Sequence, residues 1–319
     1  MKKQILPFGL LLSLTLLFAC HFDEKANPGL SSNFKAKYVV IVSVDGPRWN
    51  ETWGDSKHTY IHYREKLAKQ GILFTNFQNT GFTATNPGHC AIVTGNHENI
   101  DNTGQELPTY PSIFQHYLEA SGYSNSACQI IASKDKLDVL ANCKMGSYRN
   151  KFNAEVDIGV NGQFMGYRED SITFQHALSI FSNKHPRLTL VHFKGPDIMG
   201  HQNNWSGYLA AIKETDKYLY DFWSYLQADP IYKDRTAFFV TNDHGRHNND
   251  HNDGFVSHGD ACTGCRHIEF LALGPDFAKA QIVDRTNYDQ RDISKTIGKL
   301  LGFKVPYSQG KEIYELVGN

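Results

Sequence analysis

Four short motifs carry residue types suited to metal-assisted chemistry, and most follow a run of apolar residues. TNDHGRHN, Thr241 to Asn248, follows AFFVT, so Asp243 and His244 stand side by side where a strand runs out. Side chains at the carboxyl end of a parallel strand face a ligand crevice, and an Asp-His pair there is a natural metal anchor. SVDG, Ser43 to Gly46, ends a β-branched run and supplies Asp45. TNPGH supplies Thr85, and PDIMGH places Asp197 and His201 four apart, where carboxylate and imidazole can reach one ion from adjoining turns. His258, in SHGD, can complete a ligand set. Each piece also has a plainer reading. Asp45 before a glycine can close a turn, each histidine can be a satisfied core or surface residue, and Thr85 before HCAIVTG can be a plain helix cap. At a helix start the Thr85 hydroxyl would also face bound anions and could attack phosphorus. Together the strand-end motifs argue for one composite two-metal centre.

The elements that must position these residues alternate. Apolar runs at YVVIVSV from Tyr38, ILFTNF from Ile72, CQIIA, LTLVHF from Leu188, AFFVT from Ala237 and IEFLAL from Ile268 read as strands. Helical patterns fall near 60–70, 112–120, 171–182, 206–226 and 292–301. The alternation predicts an α/β fold with a mainly parallel central sheet and helices on both faces. Tyr208, Tyr218, Phe222 and Tyr225 sit partly at helical spacing and read as core packing rather than a base-stacking platform.

At the N-terminus, Lys2 and Lys3 precede an apolar stretch from Ile5 to Phe18 that is too short to span a membrane and suits a secretory leader. Leu17 to Cys20 resembles a bacterial lipobox. The expected organisation is a signal peptide over 1–19, a lipidated Cys20 and flexible tether over 20–36, and one catalytic domain over 37–319, anchored to the bacterial cell envelope at Cys20. Against 33 acidic residues stand 32 Lys and Arg, so no basic surface announces nucleic acid, and membrane contact is expected only through the lipid. In an exported protein Cys128 with Cys143, and Cys262 with Cys265, are plausible disulfides that leave Cys90 free. CTGC as half a zinc knuckle lacks a second Cys pair at ligand spacing.

The ordered set SVDG, T-x-P-x-H with IVTG, PDxxGH, NDHG, and HGD with FLALGPDF resembles the alkaline phosphatase superfamily. It is similar to the branch of nucleotide pyrophosphatase/phosphodiesterases, and also to phosphonoacetate hydrolases and Thr-dependent phosphate monoesterases. The resemblance spans nearly all the chain from Tyr38 onward. It implies an alkaline phosphatase-like fold, two divalent ions, and Asp197, His201 and His258 as ligands of one, with Asp45, Asp243, His244 and Thr85 around the other. Zinc is the ion such mixed sites favour, with manganese or iron as alternatives. By the same resemblance Thr85 is the nucleophile and passes through a phosphothreonine. Asn102 corresponds to the amide on a nonbridging phosphoryl oxygen, and Lys134 and Lys136 match a paired cation aimed at a charged phosphoryl or carboxylate group.

Three departures bear on substrate. The connection from His244 to His258 is much shorter than the cap of phosphodiesterase relatives, which predicts minimal cap insertion and an open site. TNP is similar to phosphonoacetate hydrolases, yet the leader and short chain do not particularly fit them. The sulfatase pattern CxPxR is absent, and Cys90 lies in the following helix, which argues against chemistry needing an oxidised cysteine. Arg246, His247, Asp250 and His251 read as a solvated polar loop, with a substrate rim or third metal as the other reading. The resulting expectation is an exported phosphohydrolase of small phosphorylated substrates that favours monoesters. The alternatives are a nucleotide-type phosphodiesterase, a phosphonoacetate-type hydrolase and a non-catalytic phosphate- or metal-binding lipoprotein.

Overall fold

The computed structural model describes residues 29–285 and 288–318; the expected leader, Cys20 and the first part of the tether lie outside them. Eight strands form one sheet: β1 (Tyr38–Val44), β2 (Gly71–Phe74), β3 (Cys128–Ala132), β4 (Glu155–Ile158), β5 (Leu188–Phe193), β6 (Thr236–Thr241), β7 (Phe270–Leu273) and β8 (Gln281–Val283). Their order is β4-β3-β5-β1-β6-β7-β2-β8. Only β7 runs antiparallel to its neighbours, so the expected mainly parallel α/β sheet is the one found. The antiparallel strand is the feature that the apolar run could not reveal, because side-chain pattern carries no direction.

The helices are α1 (His62–Ala68), α2 (Thr85–Thr94), α3 (Ile113–Ser121), α4 (Asp170–Lys184), α5 (Gly195–His201), α6 (Trp205–Ala228), α7 (Thr263–Arg266), α8 (Gln290–Leu301) and α9 (Tyr314–Val317). Strand side chains alternate between faces. Val39 and Ile41 of β1 accordingly join a core with α2, α3 and α8, whereas Val40 and Val42 join one with α1, α4 and α6. A strand buried on both faces needs the unbroken β-branched run that β1 has. Burial on both sides fixes the register and therefore the place where each strand ends.

The α1/α6 side is pinned by a buried charge cluster. Arg64 is fully buried and pairs with Asp216 of α6 at 3.0 Å and with Glu269 ahead of β7. Trp53 Nε1 donates to Glu269 at 2.5 Å. Removing the cation would leave two carboxylates buried without their partner. Arg64→Met is therefore expected to destabilise the fold by about 3–5 kcal/mol. Urea unfolding checks this, and a loss below about 1 kcal/mol, the scale of an exposed pair, would contradict it.

Candidate active site

Parallel strands β3, β5, β1 and β6 deliver their carboxyl ends to one edge, and the motif residues follow those ends. Asp45 succeeds β1, Lys134 follows β3, Asp197 lies in the first turn of α5 after β5, and Asp243 and His244 follow β6. Gly46 turns the chain with φ +67°, and a Cβ there would come within 2.9 Å of Arg246 and 3.2 Å of both Asp197 and His244. Glycine answers both demands. α2 opens at Thr85 and packs so close to β6 that a Cβ on Gly88 would stand 2.5 Å from the Asp243 carbonyl.

The residues gather as two donor sets. Asp45, Asp243 and His244 form one, and Asp197, His244 and His258 another, with the ligand atoms of each within 4.8 Å of one another. His201 Nε2 lies 3.2 Å from Asp197 Oδ1 and 3.1 Å from His258 Nε2, at the exposed edge. The division differs from the expected one: His244 belongs to both sets, its ring stacked on His258 at 3.7 Å, while His201 lies beside the second set and is not one of its three close donors.

Orphaned polar atoms test whether these residues suit cations. His244 Nδ1 lies 2.8 Å from the Gly245 carbonyl and His258 Nδ1 lies 2.8 Å from the Thr83 carbonyl. A carbonyl can only accept, so each Nδ1 carries the proton and each Nε2 presents a lone pair. The lone pair of His244 faces Asp45 Oδ1 at 3.4 Å and Asp243 Oδ2 at 3.3 Å, and none of these three buried atoms has a hydrogen-bond partner. Acceptor against acceptor in a dry site is costly without a cation between them. The arrangement fits divalent ions, and the backbone bonds at Nδ1 are the usual way of aiming a ligating imidazole.

Lys134 is the one described side chain that already answers part of this negative charge at close range to Thr85. Its buried ammonium lies 2.8 Å from Asp45, 2.6 Å from Asp197 and 3.1 Å from Thr85 Oγ1. Burial alone would lower its pKa, but Asp197, Asp45 and Asp243 outweigh that and hold it well above the ordinary lysine value. Burial likewise works to raise Asp45 and Asp197, yet Lys134 holds both carboxyls far below their usual range. Asp243 goes the other way, pushed up by burial and by the charge of Asp45. Lys136 Nζ bonds the Asn102 side-chain oxygen at 2.9 Å, and the same oxygen accepts the backbone N–H of Asn86 in the first turn of α2 at 3.0 Å. Both lysines and Asn102 therefore converge on the Thr85 end of the helix.

One buried histidine, His192, escaped the sequence reading, and a second, His89, was read only as a member of the T-x-P-x-H motif. His192 of β5 lies 2.8 Å from Asp45 Oδ2 through its Nε2. His89, one turn after Thr85, bonds the Thr85 carbonyl at 2.8 Å, and burial followed by the nearby His192 pulls its pKa down to about 3. A histidine inside the apolar run LTLVHF was the available signal. The solvated-loop reading of Arg246 and His247 is corrected: both are buried, and Arg246 meets Asp197 at 2.5 Å while donating to the carbonyls of Phe255 and Val256. Its local sequence is polar, and only the fold brings a carboxylate to neutralise it. The five described cysteines are unpaired. Cys128 faces the Phe114 carbonyl and Cys143 the Met145 carbonyl, which sends the two sulfurs toward different partners.

A family model described as Sulfatase matches residues 37–303. The chain belongs to the sulfatase family. Membership places it in the alkaline phosphatase superfamily of ester hydrolases, although the branch is not determined by it. Among solved structures, the phosphonate monoester hydrolase SpPMH from Silicibacter pomeroyi superposes with a TM-score of 0.64 at 13% identity, covering 89% of this chain and 77% of that one. A protein in the alkaline phosphatase superfamily from Vibrio parahaemolyticus gives 0.64 at 19% identity, covering 92% and 74%. BT4656, solved in complex with its substrate D-glucosamine-2-N,6-O-disulfate, gives 0.69 at 13% identity, covering 89% and 80%. At these identities the likeness speaks for the alkaline phosphatase-like fold alone.

Proposed function

We propose that this sulfatase-family chain is a phosphohydrolase that favours phosphate monoesters and uses Thr85 as nucleophile. The observation that carries the reading is the convergence of two lysines on one threonine: Lys134 Nζ lies 3.1 Å from Thr85 Oγ1, and Lys136 stands behind it on Asn102. Fixed cations suit the dianion of a monoester better than the single charge of a diester. Threonine at this position cannot become the oxidised cysteine that sulfatase chemistry needs.

Divalent ions on the two donor sets, zinc by their Asp/His composition, would supply Lewis acidity to the Thr85 oxygen and the leaving oxygen. The chain's own part follows from its geometry. Thr85 Oγ attacks phosphorus as the bond to the leaving oxygen breaks, that oxygen departing with the electron pair while the hydroxyl proton passes to solvent. Lys134, held protonated, serves as a cation and not as a base, and steadies charge on the phosphoryl group. Asn102 and Lys136 hold a nonbridging oxygen at the start of α2. Water then attacks the phosphothreonine, the P–Oγ bond breaks and Thr85 regains a proton, leaving alcohol and phosphate.

The test is turnover of p-nitrophenyl phosphate, its bis ester, the sulfate ester and phosphonoacetate by zinc-loaded protein. Monoester preference supports the reading. Preference for the bis ester or phosphonoacetate moves it to those alternatives, and sulfate turnover overturns the role given to Thr85. Export and a lipid at Cys20 belong to the same proposal, and palmitate labelling of the wild type against Cys20→Ala checks the anchor.

Lys136 adds a pH prediction. Burial and the charge of Lys134 bring its pKa down to about 8. The ammonium is present below that pH and lost above it, so monoester turnover relative to diester should fall by roughly tenfold between pH 7 and 9, the weight of one charge-assisted hydrogen bond. Lys136→Arg, which stays charged, should flatten that step; an unchanged step in this variant would assign it elsewhere.

A further inference from the structure

Beside the two-metal centre lies a second cluster whose chemistry is different. His247, Asp260, Cys262 and Cys265 bring one ligand atom each to within 4.8 Å of one another. Two thiols, an imidazole and a carboxylate form a soft donor set of the kind that closes around a structural zinc. We infer that these four residues form a third metal site, structural and zinc-selective, which holds the loop carrying His258.

Local geometry supports this beyond proximity. The His247 ring is 6% exposed and its Nε2 lies 3.3 Å from Asp260 Oδ2, out of line for a hydrogen bond and with no partner among the described residues. Its other nitrogen, Nδ1, is fixed by Asp253 at 2.9 Å. A carboxylate on the far nitrogen sets the tautomer with a proton on Nδ1 and leaves the Nε2 lone pair free, as in carboxylate-histidine-zinc arrangements. Arg48 holds the His247 carbonyl at 2.9 Å, so the residue is braced from behind as well.

The cysteine side is shaped for a metal too. Cys262 Sγ accepts the backbone N–H of Cys265 at 3.4 Å, which turns the two sulfurs of the CTGC segment toward one another's end of the turn. Asp260 Oδ1 accepts the Cys262 N–H at 3.0 Å, and Oδ2 accepts from His251 at 2.7 Å, which orients the carboxylate while leaving lone pairs for an ion. A tetrahedral ion with sulfur at 2.3 Å and nitrogen or oxygen near 2.0 Å needs ligand atoms about 3.3–3.8 Å apart. From ligand atoms within 4.8 Å of one another, the cluster has to close by about an ångström at most of its edges. Binding releases the two thiol protons to solvent, and no electrons move.

The site would steady its neighbours. Asp260 lies two residues after His258, and its carbonyl accepts from Thr83 Oγ1 at 2.7 Å while the Thr83 carbonyl accepts from His258 Nδ1. His247 follows Arg246, the partner of Asp197. An ion joining His247 to the CTGC turn would therefore clamp the two chain segments that aim His258 and Arg246.

The experiment uses the intact protein loaded with zinc or with cobalt(II), metal content measured by mass spectrometry and cobalt by absorption. Three equivalents of zinc and a thiolate-to-cobalt charge-transfer band in the near ultraviolet are expected, because the Asp/His centre holds no sulfur. The band should persist in Asp45→Asn, which addresses the other centre, and disappear in Cys265→Ser with loss of one zinc equivalent. If Cys265→Ser fails to fold, the wild-type spectrum and thiol count still decide. Two equivalents without a sulfur band, or a Cys262–Cys265 disulfide in the native protein, would overturn the inference whether or not the esterase is active.

Discussion

Thr85→Ala is expected to lower monoester turnover by roughly 10⁴-fold or more, the scale seen when a catalytic nucleophile is removed. The physical ground is that Thr85 Oγ1, the nucleophile of the proposed reaction, stands where Lys134 meets the start of α2. Alanine keeps the helix, since Thr85 is the first residue of α2 and no side-chain cap is lost there. Both donor sets also remain intact. Loss of turnover with unchanged metal content and unchanged melting temperature would isolate the chemistry. The serine variant supplies the complementary result: a hydroxyl with more rotamer freedom should recover most of the activity. If alanine retained turnover within tenfold, water on the donor sets would have to be the nucleophile, and the phosphothreonine would fall with it.

The reach of the sequence depends on how local each signal is. Unbroken β-branched runs such as YVVIVSV identified the central strands, and the residue after each run identified the ligand edge, because a parallel strand buried on both faces leaves its pattern in consecutive residues. Glu155–Ile158 and Gln281–Val283 are short edge strands, half exposed, and their mixed composition hid them. Asp45, Asp197, Asp243 and His258 were legible as motif members. Arg246 was not, since its partner Asp197 is distant in sequence and a lone Arg in an Asn- and His-rich stretch looks solvated. His192 was hidden for the opposite reason: a strand long enough to look wholly apolar absorbs one histidine without changing its period. The cysteine pairing failed because the redox state of a compartment says nothing about where a sulfur points. Cys128 is committed to the core by its place in β3, and Cys265 by the turn that binds its backbone to Cys262.

Stripping metal with a chelator is expected to cut turnover by at least roughly 10³-fold and to be reversed by zinc, the size of effect that follows loss of the principal electrostatic stabilisation. Magnesium should not substitute, because it prefers oxygen ligands and the donor sets offer imidazole lone pairs at His244 and His258. The charges make the dependence steep. Asp45, Asp197 and Asp243 are buried together, and among the described residues Lys134 and Arg246 are the cations the fold places against them. Lys134 does not do the work of an ion between Asp243 and His244, for it contacts Asp45 and Asp197 while Asp243 Oδ2 and His244 Nε2 still face each other unpartnered. Asp45→Asn should therefore reduce zinc content at this centre as well as turnover, and excess zinc should restore only part of the activity. Full activity in protein shown by mass spectrometry to carry less than one equivalent of metal would remove the reason for gathering these ligands, and would leave Lys134 as the sole activator of Thr85. That outcome conflicts with the protonated state its three carboxylate neighbours impose, since an ammonium already holding its proton can stabilise the Thr85 oxygen but cannot take the proton from it.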